Sequence, residues 1–401
     1  MLSIDSIKKL IGLEDVIVKN IVQHTKSTEI EIELERKTQI CPRCGSSTKT
    51  IHDYRKQTVK DVPAFGKSVI INLKKRRYRC CLCEKRFIEK IDFLPRYHRM
   101  TSRLVAYVLA ELASEYSFTS VSKKVNLSVS TVIRIFDFVN YGVPDLPEVL
   151  SIDEFKGNTG LDKYQVIITD PVTGRVLDIL PSRRYHKLIN YFKPMNRCDV
   201  KFFVSDMWKP YRELSGSFFK DATQITDKYH FIRQVVWAFE AVRKQEQKKF
   251  GKSHRIYFKR SRSLLIRKYD YLTEEEKQQV NVMLYTSVTL SSAYFLKEKF
   301  FKAIKAGRKQ DVKTLYYEWI QSAANSGIPS FVTCAKTFSN WSESILNSFD
   351  YPYTNAFTEG CNNKIKVLKR NAYGYRNFRR FRNRILHMFH NRFLEKQVVS
   401  A

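Results

Sequence analysis

Apolar and polar positions change period several times along the 401 residues, and each change marks a segment. VIINLKKRRYRC alternates with period two and predicts a strand, and the Pro and Gly of the preceding TVKDVPAFGKSV predict turns. From Thr101 the period is helical. TSRLVAYVLAELASEYS sets Leu104, Val108 and Leu112 on one face, with Thr101 or Ser102 as N-cap. SFTSVSKKVNLSVSTVIRIFDFV then predicts a short helix ending near Asn126, a tight turn, and a second helix capped by Ser128 or Ser130. This is helix-turn-helix spacing, with Val121, Val125, Leu127 and Val132 as its small core. Ser130, Thr131 and Arg134 would open the recognition helix and face a groove.

YGVPDLPEVL carries turn signals at Gly142, Pro144 and Pro147 and reads as a domain boundary. Beyond it come the strands VLSIDEF, DKYQVIITD and GRVLDIL, the helix RYHKLINYF, the strand VKFFVSD, a helix from MWKPYRELSG and the strand ATQITD. Three strands, helix, strand, helix, strand is the order of a ribonuclease-H-like sheet. From Lys228 to about Phe349 every periodic segment is helical, which predicts an insertion of about 100 residues. The expected fold is therefore multi-domain α/β. Residues 1–97 are read as a zinc ribbon that binds DNA and 98–143 as a helix-turn-helix. Residues 148–235 form the first part of a mixed-sheet ribonuclease-H-like core, 236–348 an all-helical insertion, and 349–401 the second part with a basic C-terminal helix.

Composition narrows the function. With 43% hydrophobic and 13% aromatic residues the chain can build packed cores, which excludes a disordered basic tail. Thirteen Gly, 11 Pro and 8 Cys exclude collagen-like and disulfide-scaffold classes. No stretch reaches 18 apolar residues, so no membrane span is expected. MLSIDSIKKLIGLEDVIV has acidic residues within its apolar run and no small-residue cleavage site, so it does not read as a secretory signal; a cytoplasmic, nucleoid-associated location is expected. Lys+Arg 71 against Asp+Glu 40 leaves a net charge of +31, and polyphosphate is the partner that such a balance fits. KKRRYRC and EKRFIEK interleave cations with aromatics, which makes Lys75, Arg76 and Arg77 candidate DNA contacts. Between Gly360 and Leu394 there are ten Lys or Arg and no acid. Asn363, Lys366, Lys369, Arg370, Arg376 and Arg379 are the candidates there.

Two Cys-x-x-Cys pairs, Cys41/Cys44 and Cys80/Cys83, have the spacing to converge on one tetrahedral zinc, and Gly45 allows the tight turn after the first. Cys81 could substitute as a ligand, and His52 is expected on a strand surface. The alternative for these thiols is a set of buried free cysteines. Asp153 and Asp206 each end a predicted strand. In a ribonuclease-H-like sheet strands one and four are neighbours, so the two carboxylates would lie side by side and need a cation between them. Glu359 opens the C-terminal basic helix, with Asn363 and Lys366 at i+4 and i+7.

The ordered set C-P-R-C-G, C-L-C, S-I-D-E-F, V-S-D-M-W-K-P-Y, T-D-K-Y-H-F and E-G-C-N-N-K-I-K-V-L-K-R-N-A-Y-G-Y-R-N-F resembles the DDE transposases of bacterial insertion sequences, specifically the ISL3 family, from Cys41 to about Leu386. The resemblance implies that Asp153, Asp206 and Glu359 are the catalytic triad, holding two magnesium ions for which manganese can substitute. It implies that the ribbon and helix-turn-helix bind terminal inverted repeats, and that the enzyme cleaves the ends and joins the 3′-hydroxyls to target DNA, acting as a homodimer or larger assembly. Asp227 and His230 resemble a D-x-x-H motif seen after the second Asp in such enzymes; their alternative is a helix cap with a packed His. Two rival functions are a catalytically dead DNA-binding regulator and a structure-selective nuclease with the same sheet.

Overall fold

The computed structural model describes residues 11–13, 15–159, 162–305 and 309–399, the side chains of Tyr257, Lys309 and 391–399 excepted. Residues 1–10 of the run judged above not to be a secretory signal lie outside them. The chain divides into two compact units, 1–142 with 364–401, and 143–363.

The first unit begins with seven strands: β1 (Val16–Gln23), β2 (Ser27–Leu34), β3 (Gln39–Ile40), β4 (Ser47–Thr48), β5 (Ile51–Ala64), β6 (Lys67–Arg79) and β7 (Arg86–Ile88). β6 is the centre of the sheet, parallel to β2 and antiparallel to β5 and β7. The alternation seen in the sequence is its cause: Val69, Ile71 and Leu73 face the core with Val16, Ile32 and Val59. Three helices follow, α1 (Ser102–Leu112), α2 (Phe118–Lys124) and α3 (Val129–Phe136). Thr101, Ser117 and Ser128 cap them, each hydroxyl accepting an amide of the first turn. Asn126, at φ 53°, makes the turn between α2 and α3. Leu104, Val108, Leu112, Val121, Val125, Leu127 and Val132 form one buried cluster.

The second unit opens with β8 (Val149–Thr159), β9 (Asp162–Asp170) and β10 (Arg175–Leu180), then α4 (Tyr185–Phe192), β11 (Phe202–Ser205), α5 (Lys209–Phe218) and β12 (Thr223–Thr226). The sheet order is β10-β9-β8-β11-β12, with β9 antiparallel to its neighbours and β11 parallel to both of its own. Leu150, Ile152, Ile168 and Phe203 pack against Leu188 and Phe192 of α4 and Tyr211 and Leu214 of α5. Eight α-helices then run to Asp350 with no strand among the described residues: α6 (Lys228–Lys249), α7 (Lys252–Arg260), α8 (Arg262–Ile266), α9 (Glu274–Tyr285), α10 (Val288–Ala303), α11 (Lys309–Ala324), α12 (Pro329–Asn340) and α13 (Ser342–Asp350). Phe231, Phe300, Trp319 and Phe338 lie at the centre of their core. α13 ties to β12 through Thr226 to Ser344 at 2.9 Å and Asn347 to the Gln224 carbonyl at 2.9 Å. The chain ends in α14 (Ala356–Asn371) and α15 (Phe378–Val399).

One expectation changes here. Residues 349–401 were expected together as the closing part of the core, but 364–401 cluster with the first unit. Hydrogen bonds explain this. The buried Arg384 guanidinium donates to the carbonyls of Leu112, Ser114 and Tyr116, Asn383 donates to the Val139 carbonyl at 2.7 Å, and Arg380 pairs twice with Asp137 at 2.7 and 2.8 Å. Part of the C-terminal positive charge therefore faces backbone carbonyls and an aspartate, which satisfy it as phosphates would. No helix among the described residues is long and apolar enough to cross a membrane.

Candidate active site and metal centre

In the first unit the sulfurs of Cys41, Cys44, Cys80 and Cys83 all lie within 4.8 Å of one another. Local geometry brings them together. The amide of Gly45, at φ 72°, bonds to the Cys41 carbonyl at 3.0 Å, and that of Glu84, at φ 57°, bonds to Cys80 at 3.1 Å. Each pair is thus folded into the same tight knuckle. The Ser46 hydroxyl and the Cys83 amide draw the Cys80 thiol down to about 6, towards the thiolate that a metal needs. Four converging sulfurs fit a structural zinc. Cys81 points instead at Thr48 and Thr50, at 3.7 and 3.4 Å, and His52 is exposed on β5.

In the second unit, β8 and β11 pair with Val204 opposite Ser151. Asp206 directly follows the end of β11, close enough for its charge to act on Asp153. Asp153 is 6% exposed; its Oδ1 accepts the Glu154 amide at 2.7 Å and its Oδ2 accepts the Asn362 amide nitrogen at 2.8 Å. Burial and the neighbouring Asp206 carboxylate push Asp153 up to about 7. Asp206 Oδ2 bonds His230 Nδ1 at 2.9 Å, while its Oδ1 is buried and accepts no hydrogen bond. Burial alone would lower His230, but the bond and charge of Asp206 outweigh it and raise the imidazole. Asp227 caps α6, accepting the Tyr229 amide at 3.1 Å, and also accepts the Asn355 amide at 2.9 Å.

Glu359 lies in the first turn of α14, half-exposed. That turn is fixed to β8 and β9 from beneath. Ser151 donates to Asn355 Oδ1 at 2.5 Å, and Thr358 Oγ1 lies 2.8 Å from Ser151 Oγ and 2.7 Å from Thr169 Oγ1, all buried. Asn362, one turn on, completes the row at Asp153. Glu359 is flanked by these anchors but does not close on the aspartates. Among the described residues the cysteines are the one group of three or more potential ligands within 4.8 Å of one another. Thr358 and Asn362 were missed from sequence. Their signal was present, since Thr358, Asn362 and Ile365 share the apolar stripe of α14, where a buried amide needs a partner.

The elevated Asp153 makes metal-free stability depend on pH. Its ordinary value is 3.8, so the unfolded chain releases this proton near pH 4 and the folded chain only near 7. The folded state holds the extra proton in between, so its advantage is full below about pH 4 and is lost as pH rises towards 7, by at most roughly 4 kcal/mol. His230 has the same sign at higher pH, because its raised folded pKa gives stability that is lost as the pH rises through it. Chemical denaturation of zinc-loaded protein without magnesium or manganese at pH 5 and pH 7.5 should show the fall, and Asp153→Asn should remove most of it.

The candidate DNA contacts separate on structure. Arg76 is 5% exposed, and its guanidinium bonds the Leu34 carbonyl at 2.7 Å and Glu89 at 3.3 Å. It is a buried strut between strands, and its assignment to DNA is corrected. Lys75, half-buried, donates to Gln57, and Arg77 pairs with Asp53 at 3.3 Å. Ser130 and Arg134 are exposed, while Thr131 is half-buried with its hydroxyl 2.8 Å from Ser128. Asn363, Lys366, Arg370, Arg376 and Arg379 are exposed, and Lys369 is half-buried.

Comparison with known proteins places these features together. Residues 150–385 match the DDE_Tnp_ISL3 family model, described as transposase. Residues 37–83 match the zinc-finger of transposase IS204/IS1001/IS1096/IS1165, and 89–140 the helix-turn-helix domain of transposase family ISL3. The chain is similar to a transposase for insertion sequence element IS1001 from Bordetella parapertussis, 26% identical over 363 residues that cover 88% of this chain and 89% of that protein. A shorter stretch of 117 residues is 34% identical to a Lactococcus lactis subsp. lactis protein named ATP-dependent protease, covering 29% of this chain and 35% of that one.

Proposed function

Because this chain belongs to the ISL3 family of transposases, we propose that Asp153, Asp206 and Glu359 hold divalent ions for cleaving the ends of an insertion sequence and joining them to target DNA. The observation that carries the reading is the proximity of Asp153, on β8, to Asp206, which directly follows the parallel strand β11, with Asp206 Oδ1 buried and unpartnered. A buried anionic oxygen without a donor is costly, and a cation is its natural complement. Strand order β10-β9-β8-β11-β12 supports a ribonuclease-H-like core, with the helices from α6 to α13 as its insertion.

In this reading Asp153, Asp206 and Glu359 would hold magnesium, or manganese in its place, which would supply Lewis acidity to the phosphodiester and to the attacking water or hydroxyl. The protein's own groups set the positions. Asn362 orients Asp153, His230 orients Asp206 through its Nδ1, and Glu359 would join them from the first turn of α14, whose Thr358 is anchored to Ser151. Such second-layer partners commonly change metal affinity by about 10–100-fold. Asn362→Leu should therefore weaken Mn2+ binding by about tenfold or more in a calorimetric titration, with the fold intact by circular dichroism.

The zinc-bound ribbon and the helix-turn-helix recognise the terminal inverted repeats, with Ser130, Thr131 and Arg134 towards the bases and Lys75 and Arg77 towards phosphate. Asn363, Lys366, Lys369, Arg370, Arg376 and Arg379 add phosphate contacts, and Asp227 serves as a structural cap beside the functional His230. Synapsis of two ends makes a homodimer or larger assembly on DNA. A strand-transfer assay on a labelled transposon end tests the proposal. Magnesium-dependent nicking followed by joining is expected. End binding without nicking would make the chain a regulator, and nicking without joining a nuclease.

A further inference from the structure

Four of the five strands of the second sheet, β8, β10, β11 and β12, run the same way, because β9 is antiparallel to both β8 and β10 and β11 is parallel to both β8 and β12. β10 and β11 end level with Ile152–Glu154 of β8, which itself runs on to Thr159, and this makes a rim of the kind where open α/β sheets receive ligands. Asp153 and Asp206 belong to it. So does a cavity of about 570 Å³, lined by the start of β9, the segment after β10 and the start of α5.

That cavity has a layered wall. The Arg183 guanidinium lies 4.3 Å from the Tyr164 ring centre and 4.8 Å from that of Trp208. Glu154, the residue after Asp153, holds the guanidinium by an ion pair. Trp208 follows Asp206 by two residues, and its amide bonds the Asp206 carbonyl at 2.8 Å. The wall is therefore connected to each carboxylate through a single neighbouring residue or hydrogen bond. Lys163, Arg184 and His186 ring the mouth, exposed, with Asp162 as the acid among the lining residues, paired to Arg184 at 2.8 Å.

We propose that this cavity receives one unstacked nucleotide of the DNA strand that passes the Asp153–Asp206 site. The inference rests on reading those aspartates as the phosphoryl-transfer site. Its volume falls within the roughly 300–1,000 Å³ of pockets that enclose a small ligand. Aromatic faces and a guanidinium plane are the surfaces on which bases stack, at about 1–3 kcal/mol per base. Cations at the mouth suit the phosphates on either side. A nucleotide turned out of the helix beside the scissile bond would fix the strand's register over the carboxylates and open the duplex where the chemistry occurs.

Photocross-linking of the full chain to a short oligothymidylate carrying 5-iododeoxyuridine tests this, with cross-linked peptides mapped by mass spectrometry. Peptides containing Tyr164 or Trp208 should carry a major share of the adducts. That share should fall at least fivefold in Trp208→Ala and be kept in Trp208→Phe. Because Trp208 also packs against the core, the exposed pair Lys163→Glu and Arg184→Glu is the second variant, and it should lose the same adducts without loss of fold. The Asp153→Asn chain should cross-link as the parent does, since occupancy needs no turnover; nicking that survives in Asp153→Asn would remove the catalytic assignment alone. Adducts confined to other peptides, or unchanged in both pocket variants, overturn the proposal.

Discussion

Asp206→Ala should lower divalent-ion-dependent cleavage of transposon-end DNA by at least about a thousandfold while leaving end binding within about twofold. The factor corresponds to roughly 4 kcal/mol of transition-state stabilisation, the scale expected when a metal ligand is removed. Binding should survive because the proposed recognition groups, Ser130, Thr131 and Arg134 among them, sit in the other compact unit. Folding should survive as well, since the substitution removes one of two crowded carboxylates and leaves Asp153 less opposed. The measurements are nicking of a labelled end in Mg2+ and a mobility-shift titration of the same fragment. Nicking within tenfold of the parent would end the metal-site reading. His230 gives an internal control. His230→Ala removes the bond to Asp206 Oδ2 but no carboxylate, so it should slow cleavage by less and shift its pH profile.

Cys80→Ser, or treatment with a strong zinc chelator, should unfold the ribbon and abolish end binding. The strands beside the cysteines are too short to hold themselves together: β3 and β4 have two residues each and β7 has three. Structural zinc contributes apparent binding free energies of about 10–16 kcal/mol in small sites, far more than such a hairpin could supply. The parent should contain one zinc per chain. On its removal, hydrogen exchange should accelerate across residues 39–50 and 80–88, while amides in α6 keep their protection. Full protection in a chain shown to be zinc-free would mean that the four thiols are merely packed.

The features legible from sequence were those fixed by neighbours in the chain. Two knuckles are each four residues long, so their spacing alone announced the sulfur cluster. The caps at Thr101 and Ser128 and the small core at Val121, Val125, Leu127 and Val132 follow from local period and hydroxyl placement. Strand order in the second unit brought Asp153 and Asp206 side by side. What the sequence hid was set by distant partners. Arg76 read as an exposed cation because the inward face of β6 switches after Leu73. Up to there odd-numbered residues are buried, whereas Arg76, Tyr78 and Cys80 are buried beyond it, where β7 joins the sheet. The same limit applies to α15, whose buried Arg384 donates from its two terminal nitrogens to carbonyls more than 260 positions earlier. Asn363 was favoured over Asn362 because counting i+4 from Glu359 ignores which stripe of α14 faces the sheet.

The bond from Asp227 to the Asn355 amide joins residues 128 positions apart. The long helical excursion leaves the sheet after β12 and is tied back to it there, by this bond and by those of Ser344 and Asn347 to β12, with its apolar side chains gathered in a cluster of their own. A segment tethered so closely at both ends behaves as a cassette. Relatives could trim, lengthen or exchange its loops, and a fluorescent protein or affinity tag could be spliced into one, without disturbing the three acids. Length changes cost little once the ends of a loop are fixed.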